Sequence, residues 1–293
     1  MKKLLVLSGK GGTGKTTVAS SIIEFSKTKA FADCDVDAPN LHLIQNFENK
    51  PETKAFIGSK KATIDNKKCT FCGMCRANCR FNSIKMDKAR YTINEYSCEG
   101  CGVCEFVCPQ GAITLCDDVA GKTMLYNEAR IFSTAQLKMG RGNSGKLVTE
   151  VKKNLFTNSD LKEDNLAVID GSPGIGCSVI ASSSGIDIAL IVAEPSLSGM
   201  SDMERIVKVL KGFNIKTFVC VNKADLSKEK TRKIKEWCEG ECIKYLGEIP
   251  YDKEIVKAVN SGKSITETNS TAKDAIFEIY KKITLCLEGE YDS

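Results

Sequence analysis

Eight of the fifteen cysteines stand in two runs of identical spacing, Cys69, Cys72, Cys75, Cys79 and Cys98, Cys101, Cys104, Cys108, each C-x2-C-x2-C-x3-C. Thiolates are soft metal ligands, and zinc favours two separated CxxC pairs over runs of four, so the spacing points to iron–sulfur clusters. Gly73 and Gly102 inside the runs leave room for backbone amides to approach sulfur. A second motif, Gly9-Lys10-Gly11-Gly12-Thr13-Gly14-Lys15-Thr16, matches G-x4-G-K-[ST]. Its glycines let successive N–H groups turn inward around an anion, and the dipole of the following helix adds to them. Lys15 is expected to reach the β- and γ-phosphates of a nucleotide and the Thr16 hydroxyl to coordinate Mg2+, with Gly11, Gly12, Thr13, Gly14 and Thr17 completing the cradle.

These motifs need elements to hold them. Residues 3–8 read as a buried strand and about 15–27 as the helix after the glycine loop; Ala30–Cys34 is a short strand ending in acidic residues. This βαβ unit implies parallel strands and a right-handed crossover. Residues 56 to 118 have short segments, many cysteines and few aliphatic runs, a composition that requires staples. The half-repeat CTFCGMCRANCRFNSI and CEGCGVCEFVCPQGAI marks an internal duplication. After a turn at Asp118–Gly121 the α/β pattern resumes. Ser144 is expected to cap a helix carrying Leu147, Val148, Val151 and Leu155, and strands are expected at Leu166–Ile169, Ile188–Ala193, Lys216–Val221 and 243–249. Helices fall at about 199–211, 227–239, 252–261 and 271–287. The expected fold class is α/β: a doubly wound, mostly parallel sheet of the P-loop NTPase kind over 1–55 and 119–293, with a separate α+β domain inserted over 56–118.

Composition limits the alternatives. Hydrophobic residues make up 42% and charged residues 27% of the chain, and no apolar run is long enough to cross a bilayer. The start, MKKLLVLSGKGGTGK, reads as a strand running into a glycine loop rather than a signal peptide, so a reducing cytoplasmic location is expected and the cysteines read as metal ligands, not disulfides. The formal charge of +5 falls to about +1 once two clusters with their thiolates are counted, and there is no long basic run. Both observations argue against nucleic acid as the primary partner.

The lysine inside the glycine loop, Lys10 in KGGTGKT, resembles the deviant Walker motif of the MinD/ParA family, which includes the nitrogenase iron protein and the Mrp-type cluster carriers. The resemblance covers 1–50 and about 120–270. It implies ATP hydrolysis in an ATP-dependent homodimer, or a heterodimer with a paralogue, in which Lys10 crosses to the partner's nucleotide and stabilises transition-state charge. Asp35 falls where the family places the carboxylate that orients the attacking water, with Asp37 the competing position. Asp170 of Ile169–Gly174 would hold Mg2+ through water. Asn222 of Asn222-Lys223-Ala224-Asp225 would contact the base, and Gly247–Asp252, including Pro250 and Asp252, resembles the loop against the adenine. The cysteine runs resemble two-cluster bacterial ferredoxins, in which the fourth cysteine of each run ligates the other cluster. That implies Cys69, Cys72, Cys75 and Cys108 around one [4Fe–4S] cluster and Cys98, Cys101, Cys104 and Cys79 around the second. Run one departs from the pattern at Cys79-Arg80, where run two has Cys108-Pro109.

The remaining residues have structural readings. Cys177 is expected to be a buried thiol; Cys34, Cys220 and Cys286 lie on apolar patterns, and Cys238 and Cys242 read as structural. His42, the only histidine, is expected to satisfy a polar contact near the first switch. The last helix, with Ile276, Phe277, Tyr280 and Ile283, leads to Glu288, Glu290 and Asp292, an acidic end unsuited to anchoring on anionic lipid. The leading functional expectation is an ATPase whose nucleotide-driven switching is coupled to electron transfer through two clusters to a redox partner protein. An iron–sulfur carrier or maturation ATPase, and a positioning switch with structural clusters, are the alternatives.

Overall fold

The computed structural model of the chain describes every residue except 46, 89, 160–165, 264 and 289–293, so Glu290 and Asp292 lie outside the described residues. The chain divides into two compact units: Met1–Thr53, Thr123–Gln136 and Ser144–Ser293 in the larger, Lys54–Lys122 and Leu137–Asn143 in the smaller. Among the described residues no helix is long and apolar enough to cross a membrane.

The elements in chain order are β1 (Lys2–Leu7), α1 (Lys15–Ser26), β2 (Ala30–Asp33), β3 (Glu52–Ile57), β4 (Lys61–Ile64), α2 (Met74–Ala77), β5 (Ile84–Asp87), β6 (Arg90–Ile93), α3 (Val103–Phe106), β7 (Ile113–Cys116), β8 (Val119–Asn127), β9 (Ile131–Leu137), α4 (Ser144–Asn158), β10 (Leu166–Asp170), α5 (Cys177–Ser183), β11 (Ile188–Ala193), α6 (Leu197–Gly212), β12 (Lys216–Asn222), α7 (Lys228–Gly240), β13 (Lys244–Ile249), α8 (Lys253–Asn260) and α9 (Thr271–Glu288). The main sheet runs β13-β12-β11-β1-β10-β2-β9-β8-β3. From β13 to β9 neighbouring strands are parallel. Continuous apolar strands explain this: Leu4, Leu5, Val6 and Leu7 of β1 and every residue of β11 are buried, as strands covered by helices on both faces must be.

Two local expectations change, and one helix was not anticipated. The Asp118–Gly121 segment is no turn, because β8 begins at Val119. A three-residue connection then leads to β9, which forces β8 and β9 to run antiparallel. Ser144 is the first residue of α4 rather than its cap. The segment after Asp170, rich in serine and glycine, nevertheless forms α5.

On the buried face of α4, between Val151 and Leu155, stands Lys152. Its Nζ donates to the carbonyls of Ala181 (3.0 Å), Ser182 (2.8 Å) and Ser184 (2.5 Å), the unpaired acceptors at the end of α5. Burial pushes its pKa down to about 8. The ammonium therefore ties α5, which follows Asp170, to α4.

The smaller unit is built twice over from strand, cysteine run, helical turn and strand. β4 pairs antiparallel with β7 (Lys61↔Cys116 to Ile64↔Ile113), and β5 with β6 (Ile84↔Ile93 to Asp87↔Arg90). A buried cluster in it joins Ala62, Cys75, Ile84, Tyr91, Cys98 and Ile113, with Cys69, Cys79, Cys104 and Cys108 packed against it; Phe56, Ala112 and Ala120 are buried as well. Residues 137–143 join this unit because Arg141 pairs with Glu95 (2.5 Å) and Asp118 (3.0 Å) and lies over the Tyr96 ring.

Replacing Lys152 by Met leaves three helix-end carbonyls without donors. Urea unfolding of Lys152→Met is expected to show a loss of about 1–3 kcal/mol, against little change for the exposed Lys208→Met.

Candidate functional site

The glycine loop spans the gap between β1 and α1. Gly12 (φ 78°) and Gly14 (φ 89°) sit in the left-handed region. At Gly14 a Cβ would also lie 2.2 Å from Asn222 Nδ2. That approach is used: Asn222 Nδ2 donates to the Thr13 carbonyl at 2.7 Å, joining the end of β12 to the loop. Strand register brings Val6 opposite Asp170, so the loop leaves β1 beside the end of β10. There the buried Asp170 carboxylate pairs with Lys15 Nζ and accepts from Thr16 Oγ1 at 2.7 Å. Burial alone would lower the Lys15 pKa, but Asp170 and Asp33 raise it above the usual lysine value. Gly174 N–H donates to the Ser8 carbonyl at 2.9 Å, anchoring the segment after Asp170 to the loop. A cavity of about 620 Å3 lies over these groups, lined by Gly11 to Thr17 and by Asp35, Asn40 and Pro173.

The acidic residues after β2 divide the work. Asp35 lines that cavity, and burial pushes its carboxyl above the usual range; Asp37 is exposed and is not among the lining residues. Asp33, to which sequence reasoning gave no role, organises the loop. Its carboxylate accepts from the N–H groups of Asp35 (2.9 Å), Asn40 (2.9 Å) and Leu41 (3.0 Å). Burial and then the Asp170 carboxylate push it up to about 7, against Lys15 and those donors. The available signal was the Asp-x-Asp at a strand end with an Asn seven residues on, a spacing suited to a carboxylate capping a turn.

Lys10 Nζ pairs with Glu194 at 2.6 Å, and Lys223 Nζ reaches the same carboxylate at 3.3 Å while donating to the Gly12 carbonyl at 3.0 Å. The hydrogen bond from Lys10 holds the Glu194 carboxyl below its ordinary value. Glu194 was not anticipated, because it belongs to no motif and is positioned only by the end of β11. A second cavity, about 270 Å3, is lined by Gly12, Thr17, Asn222, Pro250 and Asp252. It also shows what sequence reasoning missed: Ile255, Val256 and Ile276 supply apolar walls. Asp225 lies outside this cavity's lining, but its carboxylate accepts from Tyr251 N–H at 2.7 Å and so sets the Pro250–Asp252 loop.

In the smaller unit Gly73 (φ 79°) and Gly102 (φ 80°) precede the one-turn helices α2 and α3. Cys69, Cys72 and Cys75 line a single cavity with Cys108 of the other run. Burial first, then the thiols of Cys69, Cys108 and Cys72, push the Cys75 thiol up; burial and then Cys98 and Cys101 do the same to Cys104. Burial would raise Cys79 too, but hydrogen bonds led by Ser83 Oγ (3.1 Å) bring it below the usual thiol value. Ala112 N–H donates to Cys108 Sγ at 3.3 Å. Among the described residues no three His, Cys, Asp or Glu side chains converge as they would around a single ion. The cavity that Cys69, Cys72, Cys75 and Cys108 share is small, about 20 Å3.

The remaining cysteines and His42 fall in different surroundings. Cys177 is exposed, not buried, because it opens α5 at the surface; Cys242 is exposed at a left-handed turn, while Cys238 is buried. Cys34, Cys220 and Cys286 are buried. His42 satisfies no contact at Nδ1, which is buried without a partner among the described residues, and burial lowers its pKa.

The sequence matches the CobQ/CobB/MinD/ParA nucleotide binding domain over residues 4–265. It is 29% identical over 288 residues to the uncharacterized protein MJ0578 of Methanocaldococcus jannaschii, covering 96% of each chain. It is 30% identical over 304 residues to MJ0579 of the same organism, covering 92% of this chain and 93% of the other. Its fold resembles the septum site-determining protein MinD of Pyrococcus horikoshii complexed with Mg-ADP, with a TM-score of 0.58 at 16% identity over 100% of this chain and 99% of that one.

Asp33→Asn puts an amide donor among three N–H donors. Hydrogen exchange is expected to speed up across residues 35–45 by about tenfold or more while α1 keeps its protection, the loss of about 1–3 kcal/mol being local.

Proposed function

The chain belongs to the CobQ/CobB/MinD/ParA nucleotide-binding family, and on that premise we propose that it is an ATP-hydrolysing switch coupled to electron transfer through two [4Fe–4S] clusters to a partner protein. Lys15 would grip the β- and γ-phosphates, and Thr16, with Asp170 through water, would hold Mg2+, which would supply charge neutralisation. Both residues offer hard oxygen donors, and the Thr16 hydroxyl donates to the Asp170 carboxylate at 2.7 Å, so the two stand side by side. Asp35, half-buried in the larger cavity, orients the attacking water. Asn222 and the Pro250–Asp252 loop hold the base between the apolar walls of Ile255 and Ile276. Lys10 acts across a dimer of two such chains, and to do so it must give up its pair with Glu194.

The redox half of the proposal rests on one observation above all: Cys108 of run two shares a cavity with Cys69, Cys72 and Cys75 of run one. Crossed ligation is the arrangement two-cluster ferredoxins use. On that arrangement Cys69, Cys72, Cys75 and Cys108 would hold one cluster, and Cys98, Cys101, Cys104 and Cys79 the other, in a domain over about 56–118. Bound there, the clusters would supply one-electron transfer. The alternation of ATP-bound and free forms would act on the segments after Asp33 and Asp170, the two that the site anchors to the glycine loop. The likeness to a septum site-determining MinD favours a second reading, an ATP-driven positioning switch in which the clusters only staple the small unit.

Anaerobic reconstitution is expected to give about eight irons per chain, and Cys108→Ser to lose about four of them with the other cluster's EPR signal intact. Adding Mg-ATP to the reduced protein is expected to shift cluster potential or EPR line shape, and Lys10→Ala to abolish the shift. If ATP changes oligomeric state and leaves the clusters untouched, the positioning switch replaces the redox reading; if no iron is retained, both cluster roles fail.

A further inference from the structure

The two halves of the smaller unit are duplicated in backbone but opposite in charge. Residues 66–90, which carry run one, hold seven lysines and arginines and a single aspartate; residues 91–121, which carry run two, hold five acidic residues and no basic one. Equivalent positions are reversed in sign or charged on one side only: Arg76 corresponds to Glu105, and Thr70 to Glu99. This is a segregation within one small fold, so it is not an average property of the chain.

The segregation falls on surfaces that expose cysteine. At run one, Cys72 is exposed, with Phe71 (41%) and Met74 (47%) beside it in sequence and also exposed. Lys67, Lys68 and Arg76 flank them, all exposed and none in an ion pair among the described residues. At run two, Cys101 is exposed between Glu99 and the exposed Val103 and Phe106. Apolar centres rimmed by one sign of charge are the make-up of transient protein interfaces, and unpaired rim cations steer an oppositely charged partner.

We propose that the exposed rim of run one is the docking face for an acidic redox protein, whose carboxylates meet Lys67, Lys68 and Arg76 and whose apolar patch meets Phe71 and Met74. This rests on the reading that Cys69, Cys72, Cys75 and Cys108 hold a cluster. Docking there puts the partner's redox group over Cys72. One electron then passes between that group and the cluster, one oxidised as the other is reduced, with no bond made and no proton moved. Glu99 and Glu105 beside run two would repel the same partner, whereas Glu95 and Asp118 are already paired with Arg141. A nucleic acid would use the cations but has no use for the apolar centre above a thiolate site, which is why a protein is favoured.

The test uses the reconstituted full chain and a purified acidic flavodoxin as probe, with binding read by calorimetry at low and high salt. Lys68→Glu with Arg76→Glu is expected to weaken binding about tenfold or more at low salt and to flatten its salt dependence, with iron content and EPR unchanged. A matched control, Lys208→Glu with Lys235→Glu on exposed positions of α6 and α7, is expected to bind as the wild type does. Equal weakening in both pairs, or in neither, overturns the proposal. So does a reversal that abolishes self-association in sedimentation, or oligonucleotide binding, while sparing the flavodoxin. A chain that takes up no iron removes the reading beneath it and the proposal together, whereas normal cluster loading with unaltered binding removes the proposal alone.

Discussion

The Asp170 carboxylate is the contact on which the nucleotide site depends. It stands at the end of a strand wholly buried in the sheet, opposite Val6 of β1, and binds both Lys15 and Thr16 at the first turn of α1. A carboxylate in such a place is costly unless paired, because burial strips it of water. Its pairing fixes where α1 begins and hence how the glycine loop folds back. The backbone bond from Gly174 to Ser8 extends the same restraint to the chain beyond Asp170.

Other functional groups follow the same geometry. Asp33 ends β2, Glu194 follows β11 and Asn222 ends β12, so each stands at the carboxyl end of a parallel strand near β1. In a doubly wound sheet this edge is where loops diverge and leave a crevice. Each polar group there is tied to a neighbouring loop. Asp33 holds the Asp35–Leu41 backbone, and Glu194 holds Lys10 and Lys223. Lys152 gives the opposite end of the second segment a fixed support by binding the carbonyls that terminate α5. The site is thus a set of charges held in a low-dielectric rim, with their partners on loops rather than on strands.

The smaller unit obeys a different constraint. A buried cluster of six residues includes two of its own cysteines, and four more pack against it. A unit this short in aliphatic runs gains stability from cross-links. Burial first, and then the neighbouring thiols, push the Cys75 thiol up, which disfavours a free thiolate there. Cys72 and Cys101, one from each run, are exposed.

The local sequence determined much of this. The glycine loop, the buried strands, the order of the polar strand ends and the duplicated cysteine runs are all consequences of composition and spacing over a few residues, because backbone conformation and metal preference act at that range. β8 and β9 were not legible, since Gly121 resembles a turn and only pairing beside β2 shows otherwise. Tertiary structure alone decided that Asp33 anchors the segment after β2, that Glu194 meets Lys10, that Ile276 walls the second cavity and that Cys177 is exposed. Each of these depends on the distance between residues far apart in sequence, and that distance is set by the register of parallel strands and the packing of helices over them, which no short window of sequence contains.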